Sequence, residues 1–330
     1  MRSEECDQSV VYDLDELIAA SEAEKMSNLF LTNTDEDFVK NFDEANEDNS
    51  RLRFESRFEC GNLRKAVHIG GRQYNLIITP DVNSDKHHQW FYFQVSHMKA
   101  GEHYPYTFNI INYEKANSQF NFGMQPVLFS VKEALSTGRP CWRRLGADIC
   151  YFRNNFSKSS QINGDNFMTA SFTINFPHEG DICYLAYHYP YTYSRLRSKL
   201  DRMTREIQSD PGFYLKVDRL TQSLNDHDVP LITVTSRPKV CSNFQQRPLS
   251  NPNIPISDKP IIVLTGRVHP GETNSSWVME GILDFLTANT PEAEEVRSHF
   301  VFKIVPMLNV EGVINGCHRY LKFFKDFCFA

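Results

Sequence analysis

The stretch Ile261-Ile262-Val263-Leu264-Thr265-Gly266-Arg267-Val268-His269-Pro270-Gly271-Glu272-Thr273-Asn274 sets the fold of the second half of the chain. Ile261 to Leu264 is a short apolar run of the kind that forms a buried strand. Beyond the loop, Val278, Ile282, Phe285 and Leu286 recur at helical spacing and predict an amphipathic helix with those residues on one face. A second helix opens at Thr290-Pro291, an N-cap followed by proline at the first helical position, and Phe300 to Val305 returns to a strand. Upstream, Leu231 to Thr235 is a further β run. Leu196, Leu200, Met203 and Ile207 form one helical stripe, with Ser194 as N-cap and Pro211-Gly212 as its stop. Strands alternating with helices predict an α/β sheet across residues 191–330, with a Pro-rich stretch from Pro238 to Pro260 between its first two strands.

The preceding region has a different period. Tyr74 to Ile78 reads as a strand, followed by a turn cluster at Pro80-Asp81-Val82-Asn83-Ser84-Asp85. Phe91, Phe93 and Val95 alternate, as do Phe172, Ile174 and Phe176, and Ile182, Tyr184 and Ala186. Short aromatic-rich strands separated by polar turns predict a β-sandwich over residues 52–190. Residues 1–51 read as an acidic, largely flexible leader with one amphipathic helix around Leu14, Leu17 and Ile18.

Charge follows the same division. Residues 1–50 carry 15 acidic against 3 basic side chains, a balance of −12, and the remainder carries 32 basic against 26 acidic, a balance of +6. An acidic leader ahead of a mildly basic body is compatible with acidic partners or with simple solubility, and charge alone favours solubility; the lack of any dense Lys/Arg block argues against nucleic acid. No apolar run is long enough to span a bilayer, and the N-terminus lacks the apolar core of a secretory signal. The eight cysteines include no C-x-x-C pair, which predicts reduced thiols and a cytoplasmic, cytosolic protein.

The loop between strand and helix carries the chemistry. Ligands of open α/β sheets sit beyond the carboxyl ends of the strands, where this loop falls. His269 offers an imidazole nitrogen and Glu272 a carboxylate, both ordinary ligands of Zn²⁺. Pro270 stiffens the segment and Gly271 permits backbone shapes closed to other residues. On spacing alone a helix N-cap beside a histidine is the simpler reading; the place of the loop between strand and helix raises the metal reading without deciding between the two. A catalytic zinc site would still need a third protein ligand and an open position for water. No G-x-x-x-x-G-K-[ST] loop occurs, and no Ser-His-Asp or Cys-His arrangement has specific local wording.

Arg267 to Met279, Arg-Val-His-Pro-Gly-Glu-Thr-Asn-Ser-Ser-Trp-Val-Met, resembles the zinc loop of the cytosolic carboxypeptidases, also called ATP/GTP-binding-protein-like zinc metallocarboxypeptidases. Leu52 to Glu59, His88 to Phe93, Phe108 to Asn112 and Tyr187 to Tyr193 are similar to the same family, so the likeness runs from about Leu52 to Arg319. The resemblance implies a β-sandwich ahead of an α/β carboxypeptidase domain. It implies a hydrolase that removes glutamates from acidic protein tails, polyglutamylated tubulin above all, in the cytosol and on microtubules. It implies Zn²⁺ as cofactor, with His269 and Glu272 as two of its three ligands. Arg319 would be the arginine that polarises the scissile carbonyl, a role in which a guanidinium meets developing negative charge.

Three departures stand beside the resemblance. Asn309-Val310-Glu311-Gly312 occupies the place of the family's Asn-Pro-Asp-Gly. After Arg319 the family continues toward Asp-Leu-Asn-Arg, whereas this sequence reads Tyr320 to Ala330. The third zinc ligand and the general-base glutamate have no counterpart. The expectation is a chain cut short within the catalytic domain and inactive alone, with Phe300 to Val305 as an unpaired sheet edge and Phe323, Phe324, Phe327 and Phe329 in a tail prone to association. His299 and His318 are the nearest substitute ligands in sequence, and His178 and His188 read as structural. The alternative function is a non-catalytic form that binds tubulin or another partner.

Overall fold

The structure, a computed structural model, describes residues 8–30, 51–84, 86–158, 165–207, 212–237 and 259–319. Most of the acidic leader, the Pro-rich stretch up to residue 258 and the four tail phenylalanines lie outside the described residues. The chain divides into two compact units, residues 1–190 with 315–330, and residues 191–314.

The first unit begins with β1 (Ser9–Asp13) and α1 (Leu14–Phe30), followed by β2 (Arg53–Glu55), β3 (Lys65–His68), β4 (Gln73–Ile77), β5 (Tyr92–Ser96) and β6 (Tyr106–Tyr113). It continues with β7 (Val127–Ser130), α2 (Val131–Thr137), β8 (Arg143–Arg144), β9 (Ala147–Ser157), β10 (Asn166–Ile174) and β11 (Cys183–Ala186). Six strands form one sheet in the order β1-β3-β4-β6-β10-β9, and five form a second in the order β2-β5-β11-β7-β8. Among the described residues of this unit, only the β4–β6 pairing is parallel.

Aromatic side chains from both sheets meet in one core. Phe54 of β2 lies edge-on to Tyr74 of β4 with ring centroids 5.4 Å apart, and Phe91 stacks on Phe172 of β10 at 6.1 Å. Phe93 of β5 tilts against Phe108 of β6 at 6.4 Å. Each such pair adds about 0.5–1.5 kcal/mol beyond the area it removes from water. Phe91, Phe93 and Val95 are all fully buried, as their alternation predicts. On β11 the pattern is shifted by one residue: Cys183 and Leu185 are buried while Ile182 is exposed. A one-residue shift turns every side chain to the other face, so Ile182 and Tyr184 do not share the core face of Phe172.

Within the leader, a helix is present where Leu14, Leu17 and Ile18 suggest it, as α1. Nothing in the sequence signalled β1, which pairs antiparallel with β3 and whose buried Tyr12 shares a 2.8 Å hydrogen bond with the hydroxyl of Ser56.

The second unit holds α3 (Tyr193–Ile207), β12 (Phe213–Gln222), β13 (Asp228–Ser236), β14 (Ile261–Thr265), α4 (Thr273–Thr287), α5 (Pro291–His299), β15 (Val301–Val305) and α6 (Val310–Ile314). Its sheet runs β12-β13-β15-β14 and is mixed: β14 lies parallel to β15 and the other pairings are antiparallel. The parallel pair is joined through α4 and α5, the crossover that parallel strands require.

Four expectations change here. β15 is not an edge, because it pairs with both β13 and β14; β14, expected to be a buried strand, is instead the outer strand among the described residues and leaves Ile261 and Val263 exposed. The hydroxyl of Thr192, not Ser194, accepts the N–H of Arg195 at 3.0 Å and caps α3. On α4 the buried residues are Thr273, Ser276, Met279, Leu283 and Leu286, whereas Val278 and Phe285 are exposed. The cap on α5 is as expected, with Thr290 Oγ1 accepting from the Ala293 N–H at 3.3 Å and Pro291 opening the helix. Buried Arg297 of α5 donates to the carbonyls of Leu286 and Ala288 at 2.8 and 2.9 Å, satisfying backbone acceptors that the end of α4 leaves open.

Candidate metal centre

The site is built at the carboxyl end of β14. Gly266 extends the ladder by donating its N–H to Val305 at 2.9 Å. A β-carbon at Gly266 would lie 2.8 Å from Cγ of Met279, so glycine lets α4 pack directly on the strand end. The chain then turns through Arg267, whose φ of +57° is in the left-handed region. Val268 faces solvent, and the N–H of Glu272 returns to the carbonyl of His269 at 3.1 Å, closing a turn that carries both predicted donors.

His269 is half-buried and Glu272 exposed. Glu272 stands at the N-cap position of α4, yet its side chain makes no capping hydrogen bond. The capping reading of this spacing therefore lacks its defining contact.

Two elements hold the turn from beneath. Asn309, immediately ahead of α6, donates its backbone N–H to the carbonyl of Arg267 at 3.2 Å and its side-chain amide to the carbonyl of Val268 at 3.4 Å. Its side-chain Oδ1 accepts the N–H of Gly312 at 2.9 Å. Gly312 touches the proline of the loop so closely that an added β-carbon would stand 2.4 Å from Cγ of Pro270. The buried guanidinium of Arg267 reaches the carbonyl of Pro270 from Nε at 2.8 Å. Arg267, Asn309 and Gly312 were given no role from sequence. The left-handed backbone at Arg267 has no signal in residue type, though the glycine of Asn309-Val310-Glu311-Gly312 could have drawn attention to a close approach.

The Glu311 departure has a local explanation. Its buried carboxylate accepts from Asn225 Nδ2 at 2.8 Å, from His227 Nδ1 at 2.7 Å, and from the hydroxyl of Ser223. These partners all come from the turn joining β12 and β13, so the longer side chain is fully used in bracing that hairpin against α6. Burial pushes its pKa up, but the bonds from Ser223, His227 and Asn225 outweigh this and leave the carboxyl below the ordinary glutamate range.

Arg319 belongs to the first unit and is partly exposed. Its backbone N–H donates to Asp81 Oδ2 at 2.8 Å, so Asp81, read from sequence only as part of a turn, fixes the chain beneath it. Among the candidate substitutes, His299 lies on the surface beside Glu295, His318 is buried in the first unit, and His178 is half-buried. Burial, then the Arg144 cation, lowers the pKa of His188 to about 4, which keeps that ring neutral.

His269 and Glu272 fit zinc in donor type and in their placement on one closed turn. Among the described residues no group of three or more His, Cys, Asp or Glu comes together to complete a metal site. None of the described cysteines at 60, 141, 150, 183 and 317 is in a disulfide, and burial pushes the Cys317 thiol up to about 12. Among the described residues no helix is long and apolar enough to cross a membrane.

Residues 54–188 match the family model of the cytosolic carboxypeptidase N-terminal domain, and residues 200–317 match that of zinc carboxypeptidase. Human cytosolic carboxypeptidase 1 is 48% identical over 277 residues, which cover 83% of this chain and 22% of that one. Human cytosolic carboxypeptidase 4 is 48% identical over 272 residues, covering 81% and 24%. Zebrafish cytosolic carboxypeptidase 2 is 42% identical over 276 residues, covering 83% and 35%. The chain thus spans between about a fifth and a third of the length of these relatives. The solved metallo-carboxypeptidase of Burkholderia cenocepacia superposes with a TM-score of 0.58 at 20% identity, covering 81% of this chain and 58% of that one. That of Pseudomonas aeruginosa, in complex with (2-guanidinoethylmercapto)succinic acid, gives 0.56 at 23% identity over the same shares. These structures show that the fold is carboxypeptidase-like. With both family models matched in order along one sequence and relatives nearly half identical across four-fifths of it, the chain belongs to the cytosolic carboxypeptidase family.

Proposed function

We propose that this protein is the zinc-binding part of a cytosolic metallocarboxypeptidase that removes glutamates from acidic protein tails, of which polyglutamylated tubulin is the model substrate. The observation that carries the reading is the closed turn at the end of β14, in which the N–H of Glu272 returns to the carbonyl of His269 so that one turn bears both residues. These two residues would hold the ion. When bound, zinc would supply Lewis-acid polarisation of the scissile carbonyl. Arg319 would provide a fixed positive charge for the developing oxyanion, and the excess of +6 beyond residue 50 favours a glutamate-rich tail. The two aromatic-cored sheets of the first unit are best described as a β-sandwich, a rigid mount for the turn that carries Arg319.

A second reading is a non-catalytic form that binds the same tails. It is favoured by one specific observation, that no third metal donor joins His269 and Glu272 among the described residues. The test is to supply the chain with zinc and a polyglutamylated tail peptide, following both peptide binding and glutamate release. Release abolished by His269→Ala establishes the peptidase. Binding of the modified tail over an unmodified one, without release, establishes the second reading. Neither binding nor release would refute both.

A further inference from the structure

We infer that Arg267 is a positioning residue for the metal-ligand turn: its buried guanidinium fixes the shape of the loop from which His269 and Glu272 project. The inference rests on the reading of those two residues as zinc ligands.

The side chain of Arg267 is 2% exposed and reaches three separate segments. Nε donates to the carbonyl of Pro270 at 2.8 Å, between the two donors in sequence. Nη1 donates to the carbonyl of Tyr191, ahead of α3, at 3.1 Å, and to the hydroxyl of Ser276 in the first turn of α4 at 2.9 Å. The backbone N–H of Arg267 donates to Ser275 Oγ at 3.0 Å, and that hydroxyl donates in turn to the Glu272 carbonyl at 3.0 Å. Both ends of the donor pair are therefore referred back to one residue.

Two features argue that this arrangement serves the loop rather than general packing. Arg267 adopts a φ of +57°, a conformation that side chains other than Asn and Asp seldom take. Backbones held in such regions cluster where geometry is tied to function. Burying a guanidinium is also costly unless its donors are used, and here the planar fork addresses acceptors in different directions. A lysine ammonium would present a compact point charge in place of that fork. Ser276 and Thr273 take the inward face of α4 where apolar residues would otherwise pack, and Ser276 does so as an acceptor for Arg267.

The test uses the full chain with Arg267→Gln and Arg267→Lys, and Ser276→Ala as a milder variant that removes one acceptor. Two readouts are hydrogen–deuterium exchange of the 267–275 segment and zinc affinity by chelator competition, with His269→Ala as control. Arg267→Gln is expected to raise exchange in that segment while leaving β13 and β15 protected. It should weaken zinc by about 10- to 100-fold, the usual cost of removing a group that orients a ligand. Arg267→Lys should recover part of each, and Ser276→Ala should show a smaller effect of the same kind. Unchanged loop exchange and zinc affinity would overturn the inference. So would equal loss of protection throughout residues 191–314, which would mark Arg267 as general structural support. Should Arg267→Gln fail to fold, Ser276→Ala and Arg267→Lys decide between the same outcomes. Zinc binding indifferent to His269→Ala would refute the ligand reading itself, and the exchange readout, which needs no metal, would then decide the positioning role alone.

Discussion

The carboxylate of Asp81 accepts the backbone N–H of His318 at 2.5 Å, joining positions 237 residues apart. Its other oxygen takes the N–H of Arg319, so one buried side chain fixes the turn that carries the candidate oxyanion arginine. Hydrogen bonds to a charged group are worth about 1.5–3 kcal/mol each, and removing the acceptor leaves two N–H groups unmatched. Asp81→Ala is expected to destabilise the first unit by about 3 kcal/mol. Urea unfolding followed by tryptophan fluorescence measures it; a loss too small to resolve would show that the turn holds without Asp81.

Acid should loosen the β12–β13 hairpin. The Glu311 carboxyl has a folded pKa below the ordinary 4.5, because the bonds from Ser223, His227 and Asn225 outweigh its burial. A group whose folded pKa is depressed contributes stability that is complete above the unfolded value and is lost as pH falls through the folded one. The contribution is therefore full above 4.5 and declines below it. Glu311→Gln should lower stability at neutral pH and flatten this part of the pH profile. An unchanged acid limb in the variant would assign the dependence to other carboxylates.

Gly312→Ala should disturb the metal-ligand turn directly. The new methyl would stand 2.4 Å from Cγ of Pro270 and 2.8 Å from Oδ1 of Asn309, closer than atoms approach, so one neighbour must move. Overpacking of this kind typically costs about 1–3 kcal/mol. A fall in thermal midpoint together with faster exchange at residues 268–272 is the expected result, and a crystal structure with Pro270 unmoved would contradict it.

Zinc should bind this chain weakly. With two donors on one turn and no third cluster member among the described residues, extensive dialysis is expected to remove the metal. Elemental analysis before and after dialysis checks this. Stoichiometric retention that His269→Ala abolishes would reveal a further ligand in residues not described.

β14, the outer strand among the described residues, exposes Ile261 and Val263 at 55% and 65%. Exposed apolar edges promote association, and a lysine there opposes it. Val263→Lys should reduce concentration-dependent association in light scattering without lowering the thermal midpoint; equal association in both proteins would place the contact elsewhere.

What the sequence made legible was the elements whose burial is purely apolar. Phe91, Phe93 and Val95 alternate and are buried, and Leu196, Leu200 and Met203 fall on one stripe and are buried. The helix after the metal loop was read one residue out of phase, through Val278 rather than Met279. Its inward face carries Thr273 and Ser276, so the apolar stripe and the buried stripe are not the same. β12 escaped notice because Lys216, Asp218 and Arg219 interrupt its alternation, as an edge strand allows. At the site, donor types and spacing were readable, but Arg267, Asn309 and Asp81 act through backbone groups distant in sequence, and no residue-type pattern records that.

The left-handed backbone at Arg267 also bears on mutational tolerance. A backbone at φ +57° is best served by glycine or asparagine, neither of which can reach Pro270, Tyr191 and Ser276 at once. The side chain that can reach them strains the backbone. Position 267 is thus caught between two demands that no other amino acid reconciles. In a saturation library it should behave as a narrow fitness peak, with glycine relieving the backbone but losing every side-chain bond and lysine keeping only part of what the fork makes.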